Sequence, residues 1–337
     1  MGANVSEIDF VILWVDGGDP AWREEKSRYE GSQFSDDREE RYRDWDNLKY
    51  WFRGVEKFAP WVRKIHFVTW GHLPAWLWQQ HPKLHVVRHE EFIPEECLPT
   101  FNCNAIEVNI HRISGLSEQF VYFNDDMFLI RDAQPEDFFR QGKPCDMLAL
   151  QPVVANTASP MMPYLFLNNA MVLSKYFDKR QNMRNQPGKY WKWGYPLLYF
   201  GYNLLEMVFP LFTGFYTVHG PSPLRKSTFE KIWELEEELL RQTSCHRFRQ
   251  KEDVNQYLFR EWQKLSGEFM AKNITRDFEY FNVGSHNERL VRAIRRQKKR
   301  SICINDANTA IDFEGAKREI CQAFQEIFPE KSSFERA

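Results

Sequence analysis

Short apolar runs alternate with helix-like segments along the first half of the chain. Nearly continuous apolar runs that end in turn residues are typical of strands buried within a sheet. Five such runs each predict a strand: residues 8–15, 64–70, 84–88, 119–124 and 146–151. Apolar residues recur at helical spacing over 46–58, where Asp46 can cap a helix, and over 104–116. Strands that alternate with helices predict an α/β fold on a mostly parallel sheet.

The second half of the chain is richer in aromatic and helix-like sequence. Residues 191–218 are strongly apolar, and Glu206 is their only acidic residue. Pro196 and Pro210 interrupt this run, so no membrane-spanning helix of about 20 apolar residues is expected. A buried helical core is the favoured interpretation, and an interfacial or lipid-facing patch is the alternative. Further helices are predicted over 228–241, 252–265 and 287–300, the last of them strongly basic.

Length and composition indicate one or two globular domains. A chain of 337 residues can bury a large core without disulfide bonds. The pattern divides it into an α/β region over 1–155 and a mostly helical region over 156–337. No linker separates the two regions, so they are also compatible with one domain. Hydrophobic residues make up 43% of the chain, which excludes disorder.

Charge and cysteine usage restrict the partners and the compartment. The 45 basic and 47 acidic residues nearly balance, so no nucleic-acid partner is indicated. The six cysteines form no C-x-x-C pair, which predicts reduced thiols. The first eight residues contain neither a basic nor an apolar leader region. These features predict a cytoplasmic protein.

Acidic residues follow two of the predicted strands. Asp16 follows the first strand, and Asn124-Asp125-Asp126 ends the fourth. In a parallel sheet these strand ends meet beside the ligand crevice. Adjacent carboxylates at such a position suit a hard divalent cation bound to substrate phosphates, although a capped turn gives the same sequence. Asn305-Asp306 repeats the pattern after a short apolar run.

Histidines and arginines supply candidate bases and phosphate ligands. His219 precedes Arg225 and Lys226, and a histidine can take a proton from an attacking hydroxyl. A surface turn is the alternative for His219, and the roles of His111 and Arg249 are equally open. The chain has no Walker A, G-x-G-x-x-G, G-x-S-x-G or H-E-x-x-H motif, so the corresponding enzyme classes lack support.

Taken together, these motifs resemble the Stealth family, hexose-1-phosphate transferases of microbial capsule synthesis related to the animal lysosomal-enzyme N-acetylglucosamine-1-phosphotransferase. The four family blocks have counterparts in the correct order. They are IDFVILWVDGGDPAW; DNLKYWFRGVEKFAPWVRKIHFVTWGHLPAWL with FNCNAIEVNIHRI and FVYFNDDMFL; VHGPSPLRKSTFEKIW; and SICINDAN. The third block has Ser222 where the animal enzymes carry a second histidine.

The resemblance implies a cytoplasmic bacterial enzyme with a Rossmann-like, GT-A-like sheet. It would transfer sugar-1-phosphate from a UDP-hexose or UDP-N-acetylhexosamine to a hydroxyl of a growing polysaccharide, releasing UMP. Region 1–155 would bind the nucleotide sugar, and region 156–337 would complete the active site. The implied metal ligands for Mg²⁺ or Mn²⁺ are Asp125, Asp126 and Asp306. The implied catalytic residues are His219, Asp126, Arg225 and Arg249. The implied substrate-binding residues are Asp16, Asn47, Arg53, Asn104, His111, Lys226 and Asn305.

Two other functions stay open at this level. A metal-dependent glycosyltransferase would use similar acids but release UDP, and a glycan-binding subunit of the capsule machinery would use the aromatic residues without catalysis. For the sugar-1-phosphate transferase, a lipid-linked polysaccharide acceptor is expected. The basic segment 289–300 or the apolar segment 195–216 would then rest on the inner face of the plasma membrane.

Overall fold

A five-stranded sheet lies at the centre of the computed structural model, which describes residues 7–29, 43–156, 159–306 and 311–336. Its strand order is β3-β2-β1-β4-β8, and only β8 runs antiparallel to its neighbour. The five strands are β1 (Ile8–Leu13), β2 (Ile65–Thr69), β3 (Leu84–Arg88), β4 (Gln119–Asn124) and β8 (Ser222–Arg225).

Two three-stranded sheets extend this framework, in the orders β10-β11-β5 and β6-β7-β9. Their strands are β5 (Met127–Leu129), β6 (Phe139–Arg140), β7 (Lys143–Asp146), β9 (Met270–Ala271), β10 (Phe278–Asn282) and β11 (Ser301–Asn305). β11 pairs antiparallel with β5, with Cys303 opposite Met127. Since β5 begins shortly after β4 ends, this pairing brings β11 to the carboxyl edge of the central sheet.

Helices cover both faces of the central sheet. In the described residues they are α1 (Pro20–Tyr29), α2 (Leu48–Phe58), α3 (Cys103–Asn109), α4 (Pro135–Phe138), α5 (Met162–Tyr176), α6 (Lys179–Asn185), α7 (Pro187–Tyr190), α8 (Leu197–Glu206), α9 (Lys226–Leu235), α10 (Glu237–Cys245), α11 (Gln256–Leu265), α12 (Glu288–Arg296) and α13 (Phe313–Ile327).

The apolar core divides into two large clusters on the two faces of the sheet. Phe10 and Ile12 of β1 pack into one cluster with residues of α2, α12 and α13. Val11, between them, packs into the other cluster with residues of α3, α9 and α11. Alternate strand residues point to opposite faces, so β1 is buried on both sides. This is why its sequence reads as an almost continuous apolar run.

The structure confirms the predicted parallel α/β sheet and corrects some of its elements. β3 and β4 have the predicted bounds. The strand predicted at 146–151 is wrong: β7 covers Lys143–Asp146, and Leu150 forms only an isolated bridge with Phe215. The helix predicted at 104–116 ends early, because α3 is followed by a 3₁₀ turn at Ile110–Arg112. Asp46, predicted to cap the helix at 46–58, has a φ of 48° and is not the N-cap. Asn47 takes that position, directly before α2.

The buried core predicted for residues 191–218 is confirmed only in part. Tyr195 is buried, and Tyr199, Phe200, Phe212 and Phe215 pack partly buried against apolar clusters, but other apolar residues of the segment are exposed. α8 carries four exposed leucines, and the segment after it exposes further large apolar side chains. The buried residues of α8 are polar: Asn203 and Glu206. The part of the protein on which α8 packs offers hydrogen-bonding groups to Asn203 and Glu206. The leucines of α8 therefore face outward. Among the described residues, no helix has both the length and the apolar character needed to span a bilayer.

The prediction of uniformly reduced cysteines is wrong for one pair. Cys97 and Cys245 form a disulfide, with Cα atoms 4.1 Å apart and a sequence separation of 148 positions. Cys97 ends a 3₁₀ turn, Cys245 ends α10, and both side chains pack within one apolar cluster. Spacing along the chain gives no sign of such a contact. Cys145, Cys303 and Cys321 are free thiols, as predicted.

The boundary between regions 1–155 and 156–337 stays a prediction. Strand β8, from the second region, pairs with β4, and β11 pairs with β5. Both apolar clusters also contain residues of both regions. Each region therefore contributes strands and core side chains to the elements around the carboxyl edge of the sheet.

Candidate functional site

A cavity of about 1040 Å³ opens at the carboxyl edge of the parallel strands. Residues after β1, β4 and β11 line it, as expected for a ligand crevice of an open α/β sheet. Of the residues singled out from the sequence, the cavity is lined by Asp16, Asn47, Asn104, Asp125, Asp126, His219, Arg249, Asn305 and Asp306. Segments from both halves of the chain thus meet around one space.

Backbone pairing explains how the distant acids meet. β1 and β4 are adjacent and parallel, with Leu13 opposite Asn124, so Asp16 and Asp125 follow neighbouring strand ends. The backbone N–H of Ile304 donates to the carbonyl oxygen of Asp126 at 2.8 Å. This bond extends the β5–β11 pairing and carries Asp306 to the same edge of the cavity.

The two carboxylate oxygens of Asp126 have different surroundings. The Cys303 thiol donates to Oδ2 at 3.1 Å, and His219 Nε2 lies 3.2 Å from the same oxygen. Oδ1 is buried and has no hydrogen-bond partner among the described residues. A buried carboxylate oxygen without a partner is costly unless a ligand satisfies it. One oxygen therefore anchors the side chain, and the other is available to a ligand.

His219 lies between Asp126 and Tyr257. Its Nδ1 is 2.8 Å from the Tyr257 hydroxyl, and 32% of its side chain remains exposed. Burial favours the neutral imidazole, but the Asp126 carboxylate outweighs it and raises the pKa of His219 above its ordinary value. The imidazole is thus oriented at both nitrogens and can hold a proton beside the cavity.

A buried arginine fixes the backbone on both sides of His219. Arg260 Nη1 donates to the carbonyl oxygen of Val218 at 2.8 Å and to Ser222 Oγ at 3.2 Å. Its other nitrogens donate to Asp146, at 2.6 and 3.1 Å. Gly220 packs closely on Phe278, and a Cβ there would lie 2.7 Å from the ring. The segment that carries His219 is therefore held rigidly.

Asp125 and Asp306 face the same space. The protein surroundings raise the pKa of Asp125 to about 7, first through desolvation and second through the charge of Asp126. Asp306 Oδ2 accepts a hydrogen bond from Trp45 Nε1 at 3.2 Å and lies 3.8 Å from Arg43 Nη1. A concentration of carboxylates in a deep cavity favours a bound cation.

These residues can provide a metal site. The ligand atoms of Asp126, His219 and Cys303 lie within 4.8 Å of one another. This trio differs from the predicted set of Asp125, Asp126 and Asp306, which offers oxygen atoms only and which also lines the cavity. Asp126 belongs to both sets, and its buried Oδ1 is the donor atom that most needs a partner.

Arg249 reaches the cavity on a loop that is fixed by the buried carboxylate of Asp253. Asn102 Nδ2 and Asn104 Nδ2 donate to Asp253 Oδ2 at 2.8 and 3.0 Å, and His246 Nδ1 lies 2.6 Å from Oδ1. Asn104 therefore supports this loop while it also lines the cavity. The Arg249 guanidinium donates to Cys103 Sγ at 2.7 Å. It provides a fixed positive charge on the wall of the cavity.

The structure does not bring Arg53 or His111 to the cavity. Arg53 makes a two-pronged ion pair with Glu335, with both distances 2.7 Å. His111 is buried against the rings of Phe229 and Trp233, and burial lowers its pKa to about 3. Both side chains stabilise packing between distant segments, and neither lines the cavity.

Arg225 and Lys226 also lie outside the cavity. Arg225 Nε is 3.1 Å from Glu118 and Nη1 is 3.4 Å from Glu268. Lys226 begins α9, and its backbone N–H donates to the carbonyl oxygen of Glu118. The β4–β8 pairing places Arg225 opposite Gln119, at the end of β4 away from Asp125. Proximity to His219 along the chain is therefore not proximity in space.

Three residues of this site were not predicted: Cys303, Tyr257 and Glu107. Cys303 lies three residues before Asp306, within an apolar run. It is identified by the pairing of its strand, which places it opposite Met127 in the structure. Tyr257 belongs to an amphipathic helix, where nothing separates it from a core residue. Glu107 lines the cavity, is buried, and accepts a hydrogen bond from Tyr122 at 2.8 Å. Desolvation raises the pKa of Glu107, although its hydrogen bonds with the Tyr122 hydroxyl and the Gln256 N–H oppose the rise.

Comparison with known proteins gives two family matches and several relatives that align along the whole chain. The model described as Stealth protein CR1, conserved region 1, matches residues 6–33, and that of Stealth protein CR2, conserved region 2, matches residues 41–146. The chain is 39% identical to the capsular polysaccharide phosphotransferase WcwK of Streptococcus pneumoniae, over 98% of this chain and 100% of that one.

Two further relatives carry related names. The receptor polysaccharide phosphotransferase WefC of Streptococcus gordonii is 39% identical over 98% of this chain and 99% of its own. The exopolysaccharide phosphotransferase cps2G of Lactiplantibacillus plantarum is 38% identical over 98% and 96%. Among solved structures, an active-site mutant of LgtC aligns over 96% of both chains with 12% identity and a TM-score of 0.40, too distant to support an argument.

Proposed function

Because the chain belongs to the Stealth family, we propose that it transfers a sugar-1-phosphate to a hydroxyl group of a growing cell-surface polysaccharide. The relatives that match the whole chain are polysaccharide phosphotransferases, and phosphotransfer to polysaccharide is the activity of this protein. The donor in our proposal is a UDP-hexose or a UDP-N-acetylhexosamine, and the second product is UMP.

The proposed reaction is a displacement at the phosphorus atom that carries the sugar. The acceptor hydroxyl oxygen bonds to this phosphorus, and the bond from phosphorus to the oxygen that bridges the two phosphates breaks. The bridging oxygen leaves with UMP, and the hydroxyl proton passes to a base. Such displacements depend mostly on positioning and on stabilisation of negative charge.

His219 is the residue that we propose as the base. About a third of its side chain is exposed, its two nitrogens contact Asp126 and Tyr257, and Arg260 fixes its backbone. These contacts support a fixed orientation of the imidazole, which general-base catalysis requires. The observation that carries the proposal is the convergence of His219, Asp126 and Asp306 in one cavity, since packing alone does not require an imidazole and several acids to meet there.

The residues present fit a divalent cation. The buried Oδ1 of Asp126 lacks a partner among the described residues, and Asp125 and Asp306 add carboxylates around the same cavity. We propose that these three residues hold Mg²⁺ or Mn²⁺, both of which prefer oxygen ligands. When bound, the ion would neutralise charge on the diphosphate. Arg249 is the positive side chain that we propose for phosphate contact on the opposite wall.

Asp16, Asn47, Asn104 and Asn305 line the cavity and remain our proposed donor-binding residues. Asp16 is well ordered by local bonds: its side chain accepts from the Gly18 N–H at 2.8 Å, and its own N–H donates to His72 at 2.7 Å. Asn305 Nδ2 donates to Asn282 at 2.8 Å. Polar groups held in this way are suited to fix the orientation of a nucleotide sugar.

The acceptor in our proposal is carried on a lipid at the inner face of the plasma membrane, and the protein is cytoplasmic and peripheral to that membrane. The exposed apolar side chains around α8 support this part of the proposal. No feature of the cavity supports a nucleic-acid partner, since acids outnumber bases among the cavity-lining residues named above.

The product nucleotide tests this function. The purified protein is incubated with a panel of UDP-sugars, Mg²⁺ and acceptor polysaccharide, and nucleotides are separated by chromatography. We expect UMP together with a phosphodiester signal in the ³¹P NMR spectrum of the polymer. UDP without a phosphodiester would instead establish glycosyl transfer. Glycan binding without release of either nucleotide would establish a non-catalytic subunit.

A further inference from the structure

Helix α8 has an inverted distribution of polar and apolar residues. Its fully buried residues are Asn203 and Glu206, and Tyr199 and Phe200 are half-buried against a small apolar cluster. Its exposed residues nevertheless include Leu197, Leu198, Leu204 and Leu205. A surface helix of a protein in water normally buries its apolar residues and exposes its polar ones. The arrangement of α8 is that of a helix whose outer surroundings are apolar.

Hydrogen bonds to the buried residues hold α8 in this orientation. Asn203 Oδ1 accepts from the N–H of Leu150 at 2.8 Å, and its Nδ2 donates to the carbonyl oxygen of Tyr190 at 2.7 Å. Lys179 Nζ donates to Glu206 Oε2 at 2.7 Å, and both side chains are buried. Rotation of the helix to bury its leucines would leave these groups unsatisfied.

The segments on either side of α8 extend the exposed apolar surface. Trp193 is 95% exposed, the highest value among the exposed large apolar residues of the described chain. After the helix, four further apolar side chains are at least 43% exposed. We call these nine residues the apolar face: Trp193, Leu197, Leu198, Leu204, Leu205, Met207, Val208, Phe209 and Leu211. A concentration of exposed large apolar side chains in one short segment is typical of a contact site.

The exposed charges of α6 and of the segment after α7 are positive, and the exposed acid Asp178 precedes them as the N-cap of α6. Arg180 and Arg184 of α6 and Lys192 after α7 are exposed. Glu206 is the only acidic residue between 179 and 218, and it is neutralised by Lys179 inside the protein. Basic residues around an apolar surface with an exposed tryptophan are characteristic of segments that lie in the interface of an anionic membrane.

We propose that the apolar face inserts into the headgroup region of an anionic lipid bilayer, with Arg180, Arg184 and Lys192 on lipid phosphates. The chain runs from this face into the cavity wall, since residues 216–219, including His219, line the cavity and follow Leu211 in the sequence. The proposed function gives this arrangement a purpose, since a lipid-linked acceptor would enter from the bilayer. Membrane binding itself does not depend on that function.

Charge argues against a second copy of the chain on the apolar face and against α12 as the membrane contact. A second copy docked by a twofold axis would bring Arg180 and Arg184 towards their own duplicates. The basic helix α12 is a weaker membrane contact, because two of its charges are already paired: Arg289 with Glu279 and Arg295 with Glu326, both at 2.6 Å. The observations therefore favour lipid on the apolar face.

Vesicle flotation tests this inference without any substrate. The full chain is mixed with vesicles of phosphatidylcholine alone or of phosphatidylcholine with phosphatidylglycerol. We expect flotation with the anionic vesicles only, and less of it at high salt. The double variant Leu204→Gln/Leu205→Gln should reduce the bound fraction about tenfold or more, because it removes two large apolar side chains from the insertion surface.

Matched variants separate the apolar face from other surfaces. Trp193→Gln should weaken flotation, whereas Trp78→Gln, at another exposed tryptophan, should not. Arg180→Gln/Arg184→Gln should weaken it, whereas Arg292→Gln/Arg296→Gln on α12 should leave it unchanged. Since all these side chains are exposed, the thermal midpoint should change little.

Three results would overturn the inference. The wild type would stay with the buffer in both vesicle preparations, or the α12 variant would lose flotation, or ultracentrifugation would show a dimer that Leu204→Gln/Leu205→Gln separates. The last result would assign the apolar face to a second copy. A protein that releases UMP but does not float would contradict this inference and the membrane location in the proposed function, but not the phosphotransfer reaction. A protein that floats but releases no UMP would contradict only the reaction.

Discussion

His219 Nε2 lies 3.2 Å from Asp126 Oδ2, although 93 residues separate the two side chains in the sequence. The contact joins a residue that follows a central parallel strand to one on the segment before the antiparallel edge strand. The Cys303 thiol, from the last strand, donates to the same oxygen. Two distant segments therefore fix the carboxylate of Asp126.

Asp126→Asn should lower turnover by about 10² or more, because the amide removes the negative charge that a cation requires. Asp132→Asn is the matched control, since Asp132 is an exposed acid beyond the next strand. Rates of UMP release are compared at equal protein concentration, with circular dichroism as the folding check. Equal rates for wild type and Asp126→Asn would exclude Asp126 from the site.

His219→Ala should also lower turnover by about 10² or more, through loss of the base. Tyr257→Phe keeps the ring and removes only the hydroxyl that lies 2.8 Å from Nδ1, so a smaller loss of about tenfold is expected. The pH profile of kcat distinguishes two roles of Tyr257. If its hydroxyl orients His219, loss of the hydroxyl shifts the acidic limb of the profile; if Tyr257 only packs, the limb does not move. An unchanged profile with reduced stability would assign Tyr257 to packing alone.

Cys303→Ala should raise the Mg²⁺ concentration for half-maximal turnover by about tenfold, since Asp126 loses one of its two anchors. Cys303→Ser should restore much of the affinity through its hydroxyl. Binding of Mn²⁺ followed by electron paramagnetic resonance measures the affinity independently of turnover. Cys145→Ala is a matched buried thiol elsewhere, and an equal effect there would indicate a general packing defect.

Arg249→Ala should raise the KM for the nucleotide sugar about tenfold or more, because a cavity-facing guanidinium stabilises phosphate charge. Arg225→Ala should leave KM almost unchanged, since that side chain pairs with Glu118 and Glu268 outside the cavity. The pair of variants compares the two arginines implied by the sequence resemblance. The reverse outcome would mean that phosphate binds near β8.

Arg260→Gln should destabilise the protein by about 3–5 kcal/mol, because it leaves the Asp146 carboxylate buried without its partner. Burial acts to raise the pKa of Asp146, but Arg260 and Lys264 outweigh it and hold that pKa below its ordinary value. The ion pair therefore contributes its full stability above about pH 4, and the contribution is lost as the pH falls below that.

Urea unfolding at pH 7 and at pH 3 measures how much of the stability contributed by this ion pair is lost in acid. The gap in unfolding free energy between wild type and Asp146→Asn should be large at pH 7 and should narrow in acid. A gap that is independent of pH would show that the Asp146 carboxylate is not the titrating group.

Local pattern was sufficient for two strands of the central sheet, the buried β4 and the partly buried edge strand β3. β3 and β4 match their predicted bounds because their apolar runs are bounded by turn residues. The acids after β1 and β4 could be predicted to share one edge, since parallel topology determines where strand ends meet. Placement of Asp16, Asp125 and Asp126 around one cavity follows from that rule, whereas Asp306 is placed there by the antiparallel pairing of β11 with β5.

Pattern was insufficient wherever distant pairing decides the outcome. Arg225 follows His219 closely in sequence, yet an antiparallel edge strand carries it away from the cavity. Arg53 was expected at the donor, yet Glu335 from the chain end binds it. Residues 191–218 were expected to be buried because they are apolar, but the polar inner surface that meets Asn203 and Glu206 is formed by other segments.

The pairing of β11 with β5 also has a consequence for biosynthesis. The nascent chain can complete its central strands long before residues 301–306 leave the ribosome, because β1 to β4 precede them by nearly two hundred positions. Until then Asp126 lacks both the thiol of Cys303 and the neighbouring Asp306. A chain that ends before β11 would therefore lack two of the groups that surround Asp126 in the complete protein.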